Sequence, residues 1–131
     1  PSTVRKPAMA AILLVDDAED VREGIAAVLQ SLNHTVTEAK DGREAIAKLD
    51  AQPFDLVITD IMMPERDGTE VIMHLEGLSP RPPVLAISGG APNVPAYMAL
   101  HLARLKADAT LMKPFRNEEL KVKVATLLGA P

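Results

Sequence analysis

Five short apolar or β-branched runs alternate with segments of helical period along this chain, and that alternation limits the fold more than any other feature. The runs are residues 11–15, 35–37, 55–59, 84–87 and 109–112. Several are continuously apolar, as in Ala11-Ile12-Leu13-Leu14-Val15, which is the pattern of a strand covered on both faces. Between them, apolar residues recur every three or four positions. Val21, Ile25, Val28, Leu29 and Leu32 mark a first helix, with Glu19 and Asp20 in the turn where the helix dipole favours anions. Ala45, Ile46 and Leu49 mark a second, and Val71, Ile72 and Leu75 a third. Residues 95–106 predict a fourth, with Pro95 tolerated in its first turn, and Leu120, Val124, Leu127 and Leu128 form the core face of the last. Strand–helix units in series demand a parallel sheet with right-handed crossovers and helices on both faces. The expected class is therefore α/β, a doubly wound sheet of five parallel strands.

The breaks agree with this division. Asp41-Gly42 and Asp67-Gly68 each stand before a helical segment, Pro82-Pro83 precedes the fourth run, and Ser88-Gly89-Gly90 follows it as a loop. Residues 1–8 are polar, carry two prolines and show no period. They are expected to be a leader or tag-like tail, with the folded unit spanning residues 9–129.

With 131 residues the chain suits one domain with core enough to fold alone, and a 47% hydrophobic fraction argues against wholesale disorder. No apolar run approaches the roughly 20 residues of a membrane helix. The absence of cysteine fits a reducing compartment, and a cytoplasmic location is expected. A net charge of −4, two phenylalanines and one tyrosine give neither phosphate attraction nor base-stacking surfaces, so no nucleic-acid partner is expected. His34, His74 and His101 lack the paired spacing of a metal site and read as surface residues.

Chemistry concentrates where the apolar runs end. Leu13-Leu14-Val15 runs into Asp16-Asp17, and Leu56-Val57-Ile58-Thr59 into Asp60. Val84-Leu85-Ala86-Ile87 runs into Ser88, and Leu111-Met112 into Lys113-Pro114. In an open parallel sheet, ligands sit outside the carboxyl ends of the strands, so these residues converge on one edge. Singly, each has an ordinary explanation: an acid capping a helix, a lysine snorkelling at the surface, a serine opening a turn. Together they crowd charge. Two carboxylates about 5 Å apart repel by roughly 3 kcal/mol at an effective dielectric of about 20. Three need a cation, and hard oxygen ligands at an open crevice suit Mg²⁺, which keeps several waters. A lysine beside them supplies a compact positive charge for an incoming phosphate.

The acidic pair after the first strand, Asp60-x-x-x-Pro64-x-x-x-Gly68 after the third, Ser88 after the fourth and Lys113-Pro114-Phe115 after the fifth occur in this order. Over residues 11–128 the chain resembles a response-regulator receiver domain, the phospho-accepting module of two-component signalling. The resemblance implies a flavodoxin-like receiver fold with sheet order 2-1-3-4-5. It implies a phosphoryl group taken onto Asp60 from a histidine kinase or histidine phosphotransfer protein, followed by a conformational shift read by a downstream protein target. Asp17 matches the direct Mg²⁺ ligand, Asp16 the acid that holds the metal through water, and the Met62 backbone carbonyl a third ligand. Ser88 matches the switch hydroxyl and Lys113 the lysine that contacts the phosphoryl group. The implied activity is limited to the domain's own phosphorylation and dephosphorylation.

One position departs from the family. Thr110 stands three residues before Lys113, where Tyr or Phe is usual, so the aromatic half of the usual switch is missing there. Tyr97, in the preceding helical segment, is the other aromatic that could serve but reads as a half-buried surface residue, and Phe115 reads as core packing. Three other functions compete with this one. An aspartate-nucleophile phosphatase of the haloacid-dehalogenase type would want a second acid two residues after Asp60, where Met62 stands. A flavodoxin-like electron carrier would want hydroxyls and amides where Asp16-Asp17 stand. A binding module with vestigial phosphorylation is opposed by Asp17, Asp60 and Lys113 but not by Thr110.

Overall fold

The structure is a computed structural model of the chain, and it describes residues 10–61, 68–88 and 107–129. Five strands, β1 (Ala11–Val15), β2 (Thr35–Ala39), β3 (Leu56–Asp60), β4 (Val84–Ser88) and β5 (Ala109–Met112), form one sheet. Every pairing is parallel, and the order is β2-β1-β3-β4-β5. The described helices are α1 (Glu19–Ser31), α2 (Gly42–Ala51), α3 (Gly68–Glu76) and α4 (Asn117–Leu127). The expected doubly wound sheet is present. The helix expected over 95–106, the loop at Gly89-Gly90, Tyr97, His101 and the leader at 1–8 lie outside the described residues.

Alternation within the central strands sorts the core into two layers. Leu13, Val15, Val57 and Ala86 face α2 and α3, packing with Leu49, Val71, Ile72 and Leu75. Ile12, Leu14, Ile58 and Ile87 face the other way, onto Ile25 and Leu29 of α1 and Leu120 and Val124 of α4. Burying side chains on both faces requires continuously apolar strands, which accounts for the runs in β1, β3 and β4. β2 is an edge strand, with one pairing neighbour, and its residues before Ala39 are only partly covered or exposed. Phe115 packs against the α1/α4 layer, as expected.

Local chemistry sets the boundaries. Asp41 caps α2 by accepting the Glu44 N–H at 2.8 Å, while the Glu44 carboxylate accepts the Lys40 N–H at 3.0 Å. β3 begins at Leu56 rather than Asp55. The Asp55 carboxylate instead accepts the Ala11 N–H at 2.8 Å, tying off the start of β1. β2 extends to Ala39, two residues past its expected end, because Glu38 and Ala39 continue the register opposite Leu14 and Val15.

His34 corrects an expectation. Asn33, with φ of 70°, turns the chain out of α1 in the left-handed region that asparagine tolerates. The turn draws the next residue inward, and His34 is buried at 7% exposure instead of lying on the surface. Its Nδ1 is buried without a hydrogen-bond partner among the described residues, and burial pushes the imidazole pKa below its ordinary value. His74 is more open and pairs with Asp50 at 2.9 Å.

Candidate functional site

The sheet places the acids. Val15 and Thr59 are register partners on adjacent strands, so Asp16 and Asp60, the residues after them, emerge side by side at the carboxyl edge. Met112 pairs with Ser88 across β4 and β5, and Lys113 follows immediately. Asp16, Asp17 and Asp60 each offer a carboxylate oxygen within 4.8 Å of the other two. Asp16 and Asp60 are buried, at 1% and 6% exposure, and Asp17 is exposed. The edge thus holds two carboxylates fixed inside the fold and one facing solvent.

Lys113 joins the buried pair. Its Nζ donates to Asp16 Oδ2 at 3.0 Å and to Asp60 Oδ2 at 3.1 Å. Burial opposes the ammonium, but the charge of Asp60 and the hydrogen bond and charge of Asp16 outweigh it and hold the lysine pKa above its ordinary value. Lys113 is therefore a permanent cation at neutral pH. One ammonium against three carboxylates leaves two negative charges in excess, a donor set that a divalent cation would balance. The Lys113-Pro114 peptide bond is cis.

Asp16 is held on every polar atom. Its N–H donates to the Ala39 carbonyl at 3.1 Å, and its Oδ1 accepts the Ala18 N–H at 2.9 Å. Its Oδ2 takes Lys113, and its own carbonyl accepts Arg22 Nη1 at 2.7 Å. Arg22 also pairs through Nε with Glu38 Oε1 at 2.8 Å, while Lys48 Nζ donates to the Glu38 carbonyl at 2.7 Å. Arg22, Glu38 and Lys48 were not anticipated. A charged residue late in a β-branched strand, Glu38, was the available signal.

Of the expected site residues, Asp16, Asp17, Asp60 and Lys113 are brought together. Ser88 closes β4 at the same edge as the last residue of the strand rather than the first beyond it. The Met62 carbonyl lies outside the described residues. Thr110 sits opposite Ala86 in the register and is partly buried, so a small side chain occupies this point of β5.

The family model for the response regulator receiver domain matches residues 12–125. The chain belongs to this family. As a receiver domain it is 35% identical over 117 residues to response regulator MprA of Mycolicibacterium vanbaalenii, covering 89% of this chain and 49% of that protein. It is 31% identical to the alkaline phosphatase synthesis transcriptional regulatory protein PhoP of Bacillus subtilis, covering 89% of this chain and 48% of the relative. The receiver chain thus spans about half the length of these curated relatives. Among solved structures it resembles response regulator TrrA of Thermotoga maritima in complex with Mg²⁺ and BeF, with TM-score 0.80 and 31% identity over 91% of this chain and 99% of that one. It also resembles the receiver domain of a Pseudomonas aeruginosa sensor histidine kinase with magnesium in its active-site cleft, with TM-score 0.81 and 27% identity over 94% of this chain and all of that one. No helix among the described residues is long and apolar enough to cross a membrane.

Proposed function

We propose that this receiver domain takes a phosphoryl group onto Asp60 and signals by a shift in conformation at the carboxyl edge of the sheet. The observation that carries the reading is Lys113 bridging Asp16 and Asp60 at 3.0 and 3.1 Å, with Asp17 open beside them. The three-carboxylate donor set fits Mg²⁺, which when bound would neutralise charge on the phosphoryl oxygens. Asp17, exposed, is the direct ligand in this reading. Asp16 has both carboxylate oxygens engaged by protein donors, which suits contact through water. The Met62 carbonyl would complete the protein ligands.

The chemistry follows from the residues. A carboxylate oxygen of Asp60 attacks phosphorus in line, and the bond from phosphorus to the donor, a histidine ring nitrogen or an acyl oxygen, breaks as the acyl phosphate forms. Lys113 exchanges its contact with the Asp60 carboxylate for a phosphoryl oxygen, and Ser88 supplies a hydroxyl to another. Moving Lys113 and Ser88 displaces the ends of β5 and β4, which biases the surrounding face toward a second conformation. The donors in this reading are a histidine kinase or histidine phosphotransfer protein, and the reader is a downstream protein target. The receiver unit in this reading is residues 9–129, and its setting is the cytoplasm. Nucleic-acid binding is not assigned to this unit, although PhoP is by name a transcriptional regulator. Beyond its own phosphorylation and dephosphorylation, the domain is a signalling module rather than an enzyme.

Intact-mass spectrometry after incubation with acetyl phosphate and Mg²⁺ tests the proposal. Gain of one phosphoryl group, labile to base and to hydroxylamine as an acyl phosphate is, is expected. No gain would favour a binding module whose phosphorylation is vestigial, a reading that Thr110 in place of the usual aromatic leaves open.

A further inference from the structure

We propose that Arg22 is a positioning residue for the acidic site, setting the Asp16-Asp17 backbone so that both carboxylates are aimed for cation binding. The inference rests on the reading of Asp16, Asp17 and Asp60 as the Mg²⁺ site. Arg22 sits in the second turn of α1, six residues beyond Asp16, and its side chain is 14% exposed. Its guanidinium spans two strands. Nη1 donates to the Asp16 carbonyl at 2.7 Å, and Nε to Glu38 on β2 at 2.8 Å. Arg22 is anchored below by its own N–H to the Ala18 carbonyl at 2.8 Å, while Lys48 holds the Glu38 backbone from α2. The planar fork of arginine meets both acceptors at once, which a lysine ammonium on a single stem cannot reproduce.

The Asp16 carbonyl belongs to the peptide unit that leads into Asp17, so its direction determines where the Asp17 side chain points. The other contacts of Asp16, to Ala39, Ala18 and Lys113, fix its N–H and carboxylate but leave this carbonyl unconstrained. Arg22 supplies the missing constraint. Outer partners of this kind typically change metal affinity by 10- to 100-fold, about the scale expected here.

Electrostatics and positioning predict opposite signs, and this makes the idea testable. Arg22 is a cation at a site already carrying excess negative charge. If it acted only through charge, removing it would tighten Mg²⁺ binding. If it acts by aiming Asp16-Asp17, removing it weakens binding despite the favourable change in charge.

The experiment measures Mg²⁺ affinity by amide NMR titration for the wild type, Arg22→Ala and Arg22→Lys, with thermal melts in EDTA alongside. We expect Arg22→Ala to weaken Mg²⁺ about tenfold and Arg22→Lys, which keeps the charge but loses the fork, to weaken it by a smaller measurable factor. Unchanged or tighter binding in Arg22→Ala would overturn the proposal. If that variant does not fold, wild-type affinity in Arg22→Lys does the same. Leu29→Val, a core truncation in α1 remote in sequence from the site, should lower the melting temperature without changing Mg²⁺ affinity; an equal loss of affinity there would reduce Arg22 to a general stabiliser of the helix and overturn the proposal too. A wild type that neither binds Mg²⁺ nor gains a phosphoryl group would instead refute the reading on which this inference rests.

Discussion

Lys113 and Asp60 meet at 3.1 Å across 53 residues of chain, and the same ammonium reaches Asp16 at 3.0 Å, 97 residues away. The contact closes the carboxyl edge of the sheet by linking β1, β3 and the residue after β5. Its two acids are buried, so the ammonium offsets a repulsion that water cannot screen well.

Lys113→Ala should destabilise the metal-free protein by about 3 kcal/mol, because it leaves two buried carboxylates without their cation. Mg²⁺ should recover part of that loss, so the gap to wild type in denaturant titrations narrows when the metal is added. The raised lysine pKa adds a pH signature. Stability from the pairing is fully present below about 10.5, the ordinary value, and is lost as pH rises through the higher folded value. Wild type should therefore lose stability above about pH 10.5 more steeply than Lys113→Ala. Equal stability of the two proteins at pH 7 would contradict the role of the bridge.

Asp60→Asn should abolish labelling by acetyl phosphate while preserving the fold. The amide keeps the shape of the side chain but is a far poorer nucleophile and a weaker ligand. Mass spectrometry and circular dichroism check the two halves. Undiminished labelling would place the acceptor elsewhere.

The two acids after β1 should separate by environment. Asp16→Asn removes a charge paired with Lys113 and weakens the hydrogen bond, costing about 1–3 kcal/mol without metal. Asp17→Asn, at an exposed position, should leave the metal-free melting temperature unchanged or raise it by relieving repulsion. With Mg²⁺ the order reverses in one respect: Asp17→Asn should lose most of the metal-induced rise in melting temperature. Equal Mg²⁺ stabilisation of wild type and Asp17→Asn would refute its assignment as the direct ligand.

His34 predicts an acid-side weakness remote from the strands' carboxyl edge. Its folded pKa is depressed by burial, so the unfolded chain binds the proton more readily. Stability should be complete above about 6.5 and fall as pH drops below it, toward the lower folded value. His34→Gln removes the titration, and its stability between pH 7 and 5 should vary less than that of wild type. Parallel pH profiles in chemical denaturation would show that His34 does not contribute.

The sequence by itself determined the class of fold, because continuous apolar runs in series with amphipathic segments have few ways to be buried. It also determined which residue types stand at the strand ends, since Asp16, Asp17, Asp60 and Lys113 are found by reading each apolar or β-branched run to its end. Tertiary structure decided the rest. That Lys113 chooses Asp16 and Asp60, the two buried acids, follows from the β1–β3 register, which no local pattern encodes. That Arg22 and Glu38 clamp the Asp16 backbone follows from β2 lying beside β1, a neighbour relation between segments separated by a helix. His34 is the clearest case. Its neighbours in sequence are polar and mark a turn, and only the path of the chain out of α1, through the left-handed Asn33, puts the imidazole inside. Burial of a single polar side chain depends on what packs over it, and that is a property of the assembled fold.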